Sequence, residues 1–117
     1  MNHFEQQGLQ LLNGVQSNQL YQAFIQQLNK DFIRANIELQ ITSGTNPEEL
    51  LKTLQVLIKE LMLYRHSDYF NLLYAIDVSE KELKKVNDSS SDVIIDTVIL
   101  LILKREWQKV WYKHQKG

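Results

Sequence analysis

Apolar residues recur at helical spacing along most of the chain. Phe4, Gly8, Leu11, Leu12 and Val15 share one face, with Gln6, Gln7, Gln10 and Asn13 opposite. The pattern predicts a first helix ending near Gly14 as its C-cap, followed by Ser17 or Asn18 as the cap of a second. The second helix carries Leu20, Phe24, Leu28, Phe32 and Ala35 on one stripe, flanked by Tyr21 and Ile25. Its end is ambiguous. Ile37-Glu38-Leu39-Gln40-Ile41 alternates like a strand, whereas Ile33, Ile37 and Ile41 also fit a continuing helix. A lone strand has no partner elsewhere in the sequence, so residues 36–46 read as helix or extended loop rather than sheet.

The sharpest start signal is Asn46-Pro47-Glu48-Glu49. Asn46 caps, Pro47 fits the first helical position, Glu49 can close a capping box, and both acids face the positive end of the dipole. Leu50, Leu54, Leu57 and Leu61 then form a stripe, with Leu51, Ile58 and Met62 beside it. Ser67 is the expected restart for a fourth helix bearing Phe70, Leu73, Tyr74 and Ile76. Ser79-Glu80-Lys81-Glu82 opens a short helix to about Val86. The polar run Asp88-Ser89-Ser90-Ser91-Asp92 reads as a loop ending in a cap, before a last helix from about Ser91 to Lys113. Between Val93 and Leu103 that helix is apolar nearly all round, broken by Asp96 and Thr97. A helix without a polar face is surrounded by protein, either its own chain or another subunit. The expected architecture is all-α: a compact bundle of five or six helices, residues 1–117 as one domain, with the C-terminal helix central.

Composition narrows the chemistry. A chain of 117 residues, 44% hydrophobic and 23% charged, can bury a core without disulfides or metals. The absence of cysteine excludes thiol chemistry and cysteine-ligated metals. The N-terminus lacks a basic start and an apolar run, and no apolar stretch reaches the roughly 20 residues that span a bilayer. These features predict a cytoplasmic protein with no membrane span. The three histidines form no ligand spacing, the four glycines do not cluster, and Ser89 to Ser91 have no neighbouring base, so neither a metal, a cofactor nor a catalytic residue is expected.

Charge is unevenly spread. From Lys104 onward there are five Lys/Arg and one acid, against eight and thirteen before it; the net charge is -1. Arg105, Lys109, Lys113 and Lys116 recur on one helical face, and Trp107 and Trp111 form a second stripe with Tyr112 nearby. Such an end suits a protein partner, single-stranded nucleic acid or an anionic membrane surface. Two structural accounts compete: cations offset the dipole at a helix C-terminus, and tryptophans four apart pack into a core. Arg105, Trp107, Lys109, Trp111 and Lys113 are therefore the candidate partner-binding residues. Asp96 has two readings. It faces the positive end of the last helix with its side exposed, or it is buried against a base such as Arg65.

Three stretches, Leu28 to Phe32, Asn71 to Glu80 and Lys104 to Trp111, resemble small all-helical bacterial proteins without an assigned activity. They cover about a fifth of the chain. The resemblance implies a bacterial, cytoplasmic, all-helical protein and carries over no functional residue. The leading functional expectation is a non-enzymatic interaction or scaffold domain, acting as a homo-oligomer or with a protein partner. The alternatives are a nucleic-acid-binding module using the C-terminal helix, and an enzyme with a pocket between helices that holds a perturbed titratable pair.

Overall fold

The computed structural model describes residues 2–86 and 91–115. They form six helices and no strand: α1 (His3–Ser17), α2 (Tyr21–Arg34), α3 (Pro47–Tyr64), α4 (His66–Ile76), α5 (Glu80–Lys84) and α6 (Ser91–Gln115). α6 packs against α1, α2, α3 and α4, which makes it the central helix. Its apolar half is covered by its own chain: Ile95, Val98, Ile99, Leu100, Ile102 and Leu103 are buried, and Val93, Ile94 and Leu101 are half-buried. The all-round apolar helix therefore needs no second subunit to cover it. The predicted loop at Asp88 to Ser90 lies outside the described residues, as does Lys116.

Helix ends follow a rule different from the one expected. α1 runs through Gly14 to Ser17, and neither Ser17 nor Asn18 caps α2, whose first turn has no side-chain cap. The chain instead breaks at Gln19, Asn36 and Asp77, each with positive φ (60°, 60° and 68°). After each break, an apolar residue's N–H reaches back five residues to a helix carbonyl: Leu20 to Val15 (3.1 Å), Ile37 to Phe32 (2.9 Å) and Val78 to Leu73 (3.0 Å). This closes helix C-termini while docking an apolar side chain on the core. Ile37 and Val78 are buried, and Leu20 packs on the core half-buried. Asn and Asp tolerate the left-handed region; Gln19 is the costlier choice.

Residues 35–46 are an extended loop. The Asn29 side chain donates to the Ile41 carbonyl and accepts from its N–H, both at 2.8 Å, so it pins Ile41 as a strand partner would. The Tyr21 hydroxyl donates to Thr45 O at 2.7 Å. Ile33, expected to share a helical face with Ile37 and Ile41, is 72% exposed. α3 begins as predicted: Asn46 accepts from Glu49 N–H, while its amide donates to the Glu49 carboxylate. α4 begins at His66 rather than being capped by Ser67. Its inner stripe is Tyr69, Leu72, Leu73 and Ile76, and Phe70 and Tyr74 point out. α5 starts at Ser79 as expected, ends at Lys84 and buries no residue.

Candidate functional site

α2 and α6 run antiparallel, since Gln27 meets Lys113 while Asp31 meets Lys109. Their core stripes each contain an acid. On α2, Asp31 lies one turn beyond Leu28 and one before Ala35; on α6, Glu106 lies between Leu103 and Val110. Helical spacing therefore drives both carboxyls into the seam, where each is 0% exposed. Lys109 reaches in beside them. Its ammonium lies 3.0 Å from Asp31 Oδ2 and 3.4 Å from Glu106 Oε1, and donates to Ala75 O at 3.3 Å. The Gln27 amide donates to Asp31 Oδ2 at 3.2 Å, and Arg34 lies 3.5 Å from Asp31 Oδ1.

Asp31 Oδ1 and both Glu106 oxygens are buried without a hydrogen-bond donor when both acids are ionised. Two buried carboxylates against one ammonium would be very costly. A proton on Glu106 resolves this, because the neutral carboxyl donates to Asp31. Burial first and Asp31 second, against the opposing Lys109, push Glu106 up to about 9. Burial also pushes Asp31 up, but hydrogen bonds from Glu106, Lys109 and Gln27 outweigh it and leave Asp31 below its ordinary value. The pair thus holds one negative charge at neutral pH, and Lys109 balances it.

Above this seam lies an open cleft of about 730 Å³. Lys30, Arg34, Arg105, Lys109 and Lys113 line it, together with Gln27, Gln108 and Tyr112, and among the described residues no Asp or Glu does. Arg105 is held from the side by Asp77, whose carboxylate lies 3.3 Å and carbonyl 3.2 Å away. Lys113 donates to the neutral Gln27 Oε1 at 3.4 Å. Two other hollows have mixed charge. One lies between the 37–39 loop and α3, with Glu38, Lys52, Glu60 and Arg65; the other lies between α4 and α5, with Asp77, Glu80 and Lys84.

Of the five candidate residues, the structure brings Arg105, Lys109 and Lys113 together and leaves the tryptophans out. Trp107 is half-buried against the core, and Trp111 is 42% exposed, its ring centroid 5.5 Å from that of Trp107. Tyr112 lines the cleft instead. Lys109 is largely committed to the seam, with 17% of its side chain exposed. Sequence reasoning missed Lys30 and Arg34, which lie on a different helix, and it missed Asp31 and Glu106. The signal for the two acids was present: a charged residue on each apolar stripe.

Asp96 is buried at 7% exposure, contrary to the exposed side expected from its place in the first turns of α6. It accepts hydrogen bonds from the side-chain amides of Asn2 and Gln55. Gln55 also donates to Glu5, and this bond, with one from the Asn2 backbone N–H, holds Glu5 below its ordinary range. Arg65 is engaged elsewhere, with Asp68 at 2.7 Å. Among the described residues no three His, Cys, Asp or Glu side chains group as metal ligands would, and no helix is long and apolar enough to cross a membrane. Comparison with family models, curated proteins and solved structures gives no match to this chain.

Proposed function

We propose that this is a non-enzymatic protein-interaction domain whose α2–α6 cleft receives an acidic segment of a protein partner. The observation that carries the reading is the one-sided lining of the cleft, five cations and no acid among the described residues. Its charge is not cancelled from beneath. With Glu106 neutral, Asp31 and the rim residue Asp77 are the acids that oppose the five cations among the described residues, leaving a surplus of three positive charges. A cleft lined by one sign of charge favours a complementary partner and speeds its encounter. The helix dipole does not account for the cluster, because only Arg34 and Lys113 lie in the last turn of their helices.

The buried pair argues for binding rather than catalysis. Asp31 and Glu106 are enclosed, so neither reaches a bound molecule for acid–base work. Stacking of nucleic-acid bases is less well supported, since Trp107 and Trp111 do not line the cleft. Amide NMR shifts on titrating hexaglutamate at low salt test the reading. Perturbations confined to α2 and α6, and abolished by Lys30→Glu with Lys113→Glu, are expected. No perturbation, or perturbations unaffected by the double reversal, would contradict it. Tighter binding of an oligothymidylate than of hexaglutamate would favour the nucleic-acid reading instead.

A further inference from the structure

Next to the main cleft is a smaller hollow of about 210 Å³, and the two share Gln27, Lys30 and Lys113 as lining. Gln26 and His114 complete the polar wall of the smaller one, again without an acid among the described residues. Lys30 and Lys113 stand on facing helices where the two spaces meet. Unlike Arg34, Arg105 and Lys109, neither forms an ion pair with a carboxylate among the described residues. The pocket therefore holds two ammonium groups without a carboxylate partner, the Gln26 amide and an imidazole, all able to donate, while the Gln27 amide is already turned to Asp31. It is below the roughly 300 Å³ at which organic ligand pockets begin.

A side-chain carboxylate brings one charge and two oxygens to such a place. A phosphate monoester brings about -1.5 to -2 and three strong acceptor oxygens, which suits donors converging from two helices. The main cleft beside it, with Arg34 and Arg105 held at only 3.3 to 3.5 Å by their acids, offers further cations to acidic neighbours of that group.

We propose that the acidic segment is phosphorylated, its phosphate seated in the small hollow between Lys30 and Lys113 and its flanking acids in the main cleft. This rests on the cleft being the partner site. It is tested with three synthetic peptides alike except at one position, which holds phosphoserine, glutamate or serine between flanking glutamates. Calorimetric titration of the full chain at neutral pH should give the phosphopeptide an affinity at least about tenfold above the glutamate peptide, the size of effect expected for one extra charge-assisted contact set. Lys30→Gln and Lys113→Gln should each cut that preference severalfold, whereas Arg34→Gln should weaken both peptides alike. Circular dichroism checks that these exposed substitutions leave the fold intact.

Equal affinity for the phosphopeptide and glutamate peptide overturns the phosphate inference and leaves the acidic-partner reading standing. Failure of all three peptides to bind overturns both. A preference that survives Lys30→Gln and Lys113→Gln puts the phosphate elsewhere and overturns the assigned seat. Displacement of the phosphopeptide by equimolar inorganic phosphate also overturns the proposal, since the flanking acids would then contribute nothing.

Discussion

The central helix buries one acid in its N-terminal half and one in its C-terminal half, and the two are held in opposite ways. Asp96 sits among amides: Asn2 and Gln55 both donate to it. Glu106 sits against Asp31, and without a proton neither of its oxygens has a donor. The same residue class on the same helix is thus a well-hydrogen-bonded anchor at one end and a neutral, proton-holding group at the other. Burial alone does not fix a carboxyl's charge; the donors around it do. At the Asp96 end the result is structural, tying α1 and α3 to α6. At the Glu106 end it has a consequence outside, because a neutral Glu106 leaves the cleft above it more positive than an ionised one would.

The comparison breaks most severely if Lys109 is removed. Lys109→Met leaves the buried Asp31 charge with neutral donors, the Gln27 amide and the Glu106 carboxyl, and with the exposed Arg34 at 3.5 Å as its remaining cation among the described residues. It should cost about 3 kcal/mol in urea unfolding at pH 7, the scale of a broken buried pair. Loss of less than about 1 kcal/mol would mean that the seam relaxes to admit water.

The next test is pH. The folded value of Glu106 is raised, so its proton is held by the folded chain and not by the unfolded one between about 4.5 and about 9. Its contribution is fully present below the unfolded value and is lost as pH rises through about 9, at up to roughly 1.4 kcal/mol per pH unit. Asp31 acts in the opposite sense, its contribution being lost as pH falls below its ordinary value. Glu106→Gln, which keeps a donor for Asp31, should therefore be close to the parent in stability at pH 5 and increasingly more stable than it toward pH 9. Parallel stability curves for the two proteins would contradict this.

At the other end the effect is smaller and of a different kind. Gln55→Ala removes one donor from Asp96 and one from Glu5, and should cost about 1–2 kcal/mol. Asn2→Ala removes the other donor together with the cap of α1, for about 1 kcal/mol. Neither should change how stability varies with pH between 7 and 9, where the Glu106 end dominates.

Much of the fold was readable from spacing. The start at Asn46-Pro47, the stripe Leu50 to Leu61 and the enclosure of Val93 to Leu103 all follow from periodicity and capping. What periodicity could not supply was the way helices stop. Gly14 looks like a terminator, yet the chain breaks at Gln19, Asn36 and Asp77, where a following Leu, Ile or Val gains core contact by turning back. The site was half-legible. Arg105, Lys109 and Lys113 share a helical face by arithmetic, but their partners Lys30 and Arg34 come from α2 through tertiary packing that no local pattern encodes. Asp31 and Glu106 were hidden for another reason: an acid on an apolar stripe is expected to turn outward unless a facing helix supplies its counterpart, and here each is the other's.

The most direct test is the titration of the Glu106 side-chain carboxyl followed by carbon NMR, assigned with Glu106→Gln. A neutral carboxyl at pH 7 that loses its proton only near 9 is the expected result. Ionisation in the ordinary glutamate range, near about 4.3, would mean that the seam carries two negative charges, and the cationic surplus of the cleft would fall accordingly.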